Sequence, residues 1–590
     1  MSASRAAESA YVTPQLLSFL ASSLGHVATA SAIPEVVFQP DTPGSHGAVA
    51  SEAVECSAIG RDLLARGGNA ADALVGTTFC VGVVGMYHSG IGGGGFAMVR
   101  DAQGGYEAVD FRETAPAAAH QDMYRGNVNG SVVGGLAVGV PSEVRGLEYI
   151  HKKYGALPWE KVMRGAIHVA RDGFRVSSDM VRYMDRARGQ QAHNFLVDDP
   201  SFAEDFAPNG TLLGLGDVMT RKRYANTLQR IADEGADAFY TGELAEAMVR
   251  CIQQANGTMT LADLANYTVV SRPVKTITYR GLQLHTVGAP ASGAVTLSIL
   301  KTMEQFDPAE GQADAGRADA GRADAGLAAH RFTEAMRFGY GARVALGDPD
   351  YVDGVHAFED RMLSDVAARR TRANISDDRT QPVRAYDPEA VYAPGGHGTS
   401  HVVTADASGM ATSLTTTVNL LFGAHLMDPA SGVVLNNEMN DFSIPGVPNE
   451  FGFQPSAANY IRPGKRPLSS VTPVIAAHPR NRSLYAAVGA AGGSRIISAT
   501  AGALWHLVEH RMGMCDALRE PRLHDQLMPN TLLREYKFDN DTAAALAQRG
   551  HNVTWVAEGL SAVQGIRVLG HGAFEAASEP RQKNSAGLTL

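Results

Sequence analysis

The stretch Gly395-Gly396-His397-Gly398-Thr399-Ser400-His401-Val402-Val403-Thr404-Ala405-Asp406 decides the reading of this chain. Glycines give way to β-branched and apolar residues, so a strand opens at Thr399. A threonine hydroxyl is a weak nucleophile without an adjacent base, and an α-amino group on the same residue supplies one, with a pKa of about 7.7–8.0. A cut after Gly398 therefore makes Thr399 both nucleophile and base. Gly398 permits the bend that brings the hydroxyl to the preceding carbonyl, and β-branching confines that hydroxyl to few rotamers. The competing reading of the same residues is a plain turn entering a strand.

Downstream, alternation over 411–419 puts Ser413, Thr415, Thr417 and Asn419 on one face of a strand expected to return antiparallel beside the one begun by Thr399. An ordinary Thr-rich strand fits those residues as well. In Leu435-Asn436-Asn437-Glu438-Met439-Asn440-Asp441-Phe442, two carboxylates in a turn-rich setting converge on a cation such as a substrate ammonium, unless they are solvated surface acids. Lys465-Arg466-Pro467-Leu468-Ser469-Ser470 ends in two hydroxyls that form either an anion clamp or a strand cap. Gly489-Ala490-Ala491-Gly492-Gly493-Ser494-Arg495 precedes a helix, a junction whose N–H groups suit an oxyanion. The phosphate-loop pattern Gly-x-x-x-x-Gly-Lys-Ser/Thr does not occur, which argues against nucleotide binding.

Helices are expected over 51–66, 70–84, 141–153, 159–172, 243–254, 495–511 and 541–549, and strands over 96–100, 106–111, 471–476 and 484–488. Strands flanked by helices on both sides describe a layered α/β protein. Residues 313–326 repeat Ala-Asp-Ala-Gly-Arg and read as a flexible surface insertion within a helical region.

A net charge of −10 without a Lys/Arg run excludes a nucleic-acid partner. Residues 1–32 read as a leader or weak signal peptide, with an apolar core too short to span a membrane. Eight Asn-x-Ser/Thr sequons, at Asn129, Asn209, Asn256, Asn266, Asn374, Asn481, Asn540 and Asn552, favour a secretory route. Of four cysteines, Cys56 and Cys80 lie in consecutive helix-like segments that an antiparallel pairing would bring within bridging distance. No metal-ligand spacing is found, so neither a metal nor any other cofactor is expected.

Together these pieces resemble the gamma-glutamyltransferase (gamma-glutamyl transpeptidase) family of N-terminal nucleophile hydrolases, from residue 48 to 590. The matching motifs are Gly398-Thr399 with His401, Thr417-x-Asn419, Asn436-Asn437-Glu438-x-x-Asp441-Phe442, Pro467-Leu468-Ser469-Ser470 and Gly489-Ala490-Ala491-Gly492-Gly493. Asp110-x-Arg112-Glu113-Thr114-Ala115-Pro116 and Gly90-x-Gly92-Gly93-Gly94 add matches in the first half. The resemblance implies a four-layer α-β-β-α sandwich shared by two subunits made by self-cleavage, a large one (33–398) and a small catalytic one (399–590). It implies that Thr399 attacks a gamma-glutamyl amide, that Thr417 orients it, and that Gly492 and Gly493 hold the oxyanion. Arg112, Ser469 and Ser470 would bind the glutamyl α-carboxylate, and Asn419, Glu438 and Asp441 its α-amino group. Glutathione is the implied donor, with water, amino acids or dipeptides as acceptors. Cys56 and Cys80 match a disulfide of animal members, consistent with an extracellular, cell-surface or vacuolar location. Two departures are Asn440, where Asp is frequent, and Leu421, where animal members often carry Tyr. The rivals are an acylase of the same fold acting on a substrate without an α-ammonium, and a catalytically silent relative.

Overall fold

The computed structural model describes residues 44–189, 193–307, 318–392, 398–448 and 454–590. The leader read at 1–32, residues 313–317 of the repeat, and Gly395, Gly396 and His397 lie outside the described residues.

Two large sheets take thirteen strands: β1 (Gly47–Ser51), β2 (Gly94–Arg100), β3 (Tyr106–Phe111), β4 (Val270–Arg272), β5 (Val274–Tyr279), β6 (Leu282–Val287), β7 (Gly398–Asp406), β8 (Ala411–Asn419), β9 (Val474–Ala477), β10 (Leu484–Ala491), β11 (Ala562–Val568), β12 (Phe574–Ala577) and β13 (Ala586–Thr589). The first sheet runs β13-β1-β7-β8-β2-β3-β4 and the second β12-β11-β10-β9-β6-β5. Neighbours are antiparallel throughout. The sheets pack face to face, with α1 (Val54–Ala65), α2 (Ala70–Val84) and α3 (Trp159–Asp172) outside the first. Outside the second lie α4 (Gly293–Met303), α5 (Ala318–Arg343) and α6 (Arg495–Val508). The result is the expected α-β-β-α order of layers.

Burial on both faces explains the run of apolar and β-branched residues from Val402 to Ala405 in β7, since all nine of its residues are buried. Val402 and Leu414 turn to the helices, while Val403, Ala405 and Ala411 turn to the second sheet. Polar residues on the helix side are satisfied: Ser400 Oγ donates to Glu52 Oε1 at 2.8 Å and Thr404 Oγ1 to the Ala70 carbonyl at 2.6 Å. Helix α2 starts at a capping box between Asn69 and Asp72, and every residue of it is buried between α1, α3 and the sheet. Cys56 of α1 and Cys80 of α2 form a disulfide across 24 residues.

Several boundaries differ from expectation. The helix foreseen from 51 starts at Val54, because Gly47–Ser51 pairs with both β7 and β13. The strand expected over 471–476 runs from Val474 to Ala477, and the helix expected to 511 stops at Val508. The reading of the whole repeat as a flexible insertion is overturned from Ala318 onward, where the backbone is already α5. Alanine has the highest helix propensity of any residue, and here it extends a helix anchored further along by tertiary packing.

Candidate active site

Strand β7 opens with a bulge, its register against β8 shifting between Gly398 and Ser400. A Cβ on Gly398 would lie 2.7 Å from the Asn419 carbonyl oxygen, so glycine alone fits the strand mouth. Thr417 Oγ1 donates to the Gly398 carbonyl at 2.5 Å and accepts from the Asn419 N–H at 2.7 Å. The carbonyl before Thr399 is thereby polarised by a hydroxyl whose own position is fixed. Thr399 itself is buried. The run Gly92 to Gly95 lets β8 come this close, since a Cβ on Gly93 or Gly95 would fall 1.9 Å or 2.1 Å from the carbonyl oxygens of Thr417 or Thr415.

His401 plays a different part. Its ring lies within hydrogen-bond distance of Thr415 Oγ1 (2.8 Å) and Ser413 Oγ (3.1 Å), against Gly489, and burial pushes its pKa down to about 3. It is a neutral packing residue that occupies the Ser413 and Thr415 hydroxyls, leaving Thr417 to face the Gly398 carbonyl.

One narrow cavity brings together Arg112, Gly398, Thr399, Thr417, Asn419, Glu438, Asp441, Ser469, Ser470 and Gly493. Gly492 lines a neighbouring cavity that also reaches Thr399. After β10 the backbone turns through Gly492 (φ 126°) and Gly493 (φ 63°) into α6, a path that favours glycine. Among the described residues, the N–H groups of both lack a protein acceptor.

The guanidinium of Arg112 bridges Glu438 Oε1 and, at 2.5 Å, Asp441 Oδ2, with Glu113 Oε2 at 3.9 Å. Burial works against the Arg112 charge, but Glu438, Asp441 and Glu113 outweigh it and raise its pKa. Burial raises Glu438 well above the carboxylate range despite Arg112, and lifts Glu113 to about 7. Asp441 Oδ1 is buried and receives no hydrogen bond among the described residues. Asn419 Nδ2 donates to the Asn437 carbonyl at 2.9 Å, which fixes its amide plane. The wall thus offers a cation, acidic oxygens and an amide side by side.

Sequence reasoning missed Arg343, the last residue of α5. It is buried on this wall, donates to Ser292 Oγ and Ser470 Oγ at 3.1 Å each, and has no carboxylate partner among the described residues. No local pattern marks it; only the packing of α5 brings it here. Asn440 does not line the cavity and donates to Ser131 Oγ at 2.8 Å, whereas Leu421 lines the neighbouring one. Three potential metal ligands that no sequence spacing marks, His330, Glu334 and His551, meet in the interior. Their polar atoms are largely matched within the protein. His330 Nδ1 and His551 Nε2 lie within hydrogen-bond distance at 2.7 Å, and Glu334 accepts from Thr380 (2.7 Å) and Tyr386 (2.6 Å).

Residues 56–589 match the family described as Gamma-glutamyltranspeptidase. The chain is 49% identical over 588 residues to "Glutathione hydrolase proenzyme" of Arthroderma benhamiae, covering 97% of this chain and 98% of that one. Its fold is similar to cephalosporin acylase from Bacillus halodurans, with a TM-score of 0.80 at 23% identity, over 95% of this chain and 98% of that one. It is also similar to Helicobacter pylori gamma-glutamyltranspeptidase, with a TM-score of 0.51 at 32% identity, over 56% of this chain and 92% of that one. A bulge where β7 opens at Gly398 and Thr399, a cavity lined by residues from before and after it, and a match spanning nearly the whole sequence agree: this chain belongs to the gamma-glutamyltranspeptidase family, on the N-terminal nucleophile hydrolase fold.

Proposed function

We propose that this chain is a glutathione hydrolase and gamma-glutamyltransferase that cuts itself between Gly398 and Thr399. Thr399 Oγ adds to the Gly398 carbonyl carbon, whose oxygen already receives the Thr417 hydroxyl. The C–N bond breaks, leaving an ester and a free Thr399 amine, and water then releases the Gly398 carboxylate. In the processed enzyme that amine takes the Oγ proton as Oγ attacks a gamma-glutamyl amide. The Gly492 and Gly493 N–H groups hold the oxyanion, and the proton passes to the leaving amine. Water or an amino-acid or dipeptide amine next accepts the glutamyl group.

The observation that carries this reading is a single buried cavity presenting Thr399 beside Arg112, Glu438 and Asp441. Together these match the two charges of a glutamyl α-carbon. Arg112, with Ser469 and Ser470, takes the carboxylate; Asn419, Glu438 and Asp441 take the ammonium. A substrate without an α-ammonium makes no use of the Asn419, Glu438 and Asp441 set, which disfavours the acylase alternative. A secretory location, ending outside the cell, at its surface or in a vacuole, is supported by the Cys56–Cys80 disulfide and by all eight sequon asparagines being exposed. No helix of the described residues is long and apolar enough to cross a membrane.

Intact mass and N-terminal sequencing test the proposal. The wild type is expected as two pieces, one starting at Thr399, and Thr399→Ala as one 62.3 kDa chain. A wild type that stays whole and leaves glutathione intact overturns it.

A further inference from the structure

Two guanidinium groups line the narrow cavity that holds Thr399, and they are not equivalent. Arg112 is paired at both ends, with Glu438 and Asp441. A carboxylate approaching it meets a positive charge whose field two acids already cancel in large part. Arg343, at the end of α5, has no such acid. Its Nε donates to Ser292 Oγ and its Nη2 to Ser470 Oγ, at 3.1 Å each, while Nη1 makes no hydrogen bond among the described residues. A cation in the last turn of a helix is commonplace where water surrounds it. Arg343 is buried instead, and burial pulls its pKa down, with Tyr340 and Asp441 opposing that and Arg112 adding to it. A buried guanidinium held by two neutral hydroxyls costs stability unless a ligand supplies the anion.

The hydroxyls beside it are turned to the same purpose. Ser470 Oγ accepts from Arg343, and Ser469 Oγ accepts from the Val471 N–H at 3.2 Å. Neither donates to a protein group among the described residues, so each keeps its proton for a partner in the cavity that both line. Ser292, held by Arg343 Nε, donates to the Ser469 carbonyl at 2.6 Å and fixes the backbone that carries both hydroxyls. This patch of the wall therefore offers donors alone. A carboxylate satisfies them, whereas a carboxamide of the same shape turns its own N–H groups toward them and leaves donors unmatched.

We propose that Arg343 is the residue by which this chain selects a free α-carboxylate on the gamma-glutamyl donor, directly through Nη1 and indirectly through the Ser470 hydroxyl that it orients. Arg112 shares the carboxylate, but its charge is largely committed to Glu438 and Asp441. This rests on the gamma-glutamyl reading above.

The test compares gamma-glutamyl-p-nitroanilide with the same anilide carrying an α-carboxamide, in wild type, Arg343→Met and Arg343→Lys. Wild type is expected to show a KM about 10- to 100-fold lower for the acid, the worth of a charge-assisted bond. In Arg343→Met that ratio should collapse toward one, through a rise in KM for the acid, and Arg343→Lys should restore part of it. A merely structural role would weaken both donors alike and leave the ratio standing. Calorimetric titration of wild type and both variants with L-glutamate and with its α-carboxamide reads the same preference without turnover. Processing into two pieces and a wild-type melting profile establish that the variants fold. Wild type indifferent to the carboxamide, or an acid preference that survives in Arg343→Met, overturns the proposal. Failure of both variants to process and melt as wild type also overturns it, by showing that Arg343 holds the fold and not the ligand. Absence of any gamma-glutamyl cleavage in wild type would instead overturn the reading of function, leaving the glutamate titration to decide the carboxylate site.

Discussion

Glu143 shows what burial does to one side chain in this site. It sits behind β8 and accepts from Thr416, one residue before Thr417, and burial raises its pKa from 4.5 to about 8, helped by the charge of Glu113 and opposed by Thr416. The folded chain therefore keeps a proton that the unfolded chain releases above about 4.5. Its stabilising contribution is full below that pH and is lost as pH rises toward 8. Glu143→Gln, neutral at every pH, is expected to remove that loss. Its urea-unfolding free energy should fall less between pH 5 and 8.5 than that of wild type, by an amount on the order of 4 kcal/mol. Parallel pH profiles for the two proteins would contradict the buried-proton account. At this scale the site was largely legible. Thr399, Thr417, Arg112, Glu438 and Asp441 stand in ordered motifs whose chemistry is specific. Arg343 was not, because a lone arginine at a helix end reads as a solvated charge until packing buries it. His401 was legible as part of the motif but not as a packing residue, since its neutrality comes from Gly489 and β8 closing around it.

Elements were legible wherever periodicity was long and strong. The two small-residue helices, the strand after Thr399 and its return partner all stood out, because burial on two faces imposes an apolar pattern. The short strands β5, β6, β11, β12 and β13 did not, since four to seven residues carry too little period against loop background. The repeat misled for a related reason: low complexity suggests an unpacked segment, yet alanine-rich sequence continues a helix once neighbours anchor it. The helix pair also carries a covalent link. The Cys56–Cys80 disulfide closes a loop of 24 residues, for which loop closure gives about 3 kcal/mol. Replacing both cysteines with serine should lower stability by roughly that amount in guanidinium unfolding. Equal midpoints for variant and wild type would show that α1 and α2 are held by packing alone.

On the scale of the whole molecule, the proposed cut does not separate two bodies. In the first sheet, β1 to β4 come from before Thr399 and β7, β8 and β13 from after it. In the second, β5 and β6 come from before and β9 to β12 from after. The strands of the two pieces interleave in the first sheet and meet at the β9-β6 ladder in the second, so either piece taken alone leaves ladder groups and apolar faces unpaired. The pieces should co-elute in size-exclusion chromatography under native conditions and separate only in denaturant; separation in native buffer would refute this. Arg112, Arg343 and the Gly92 to Gly95 run precede the cut, while Thr417, Glu438 and Gly493 follow it. A chain that has not yet brought β8 against β7 has no hydroxyl on the Gly398 carbonyl. Under the proposed mechanism it therefore has no catalytic amine. The bulge at Gly398 thus works as a checkpoint: misassembled copies remain inert, and the right to act on other molecules is conferred by a chain's first success on itself.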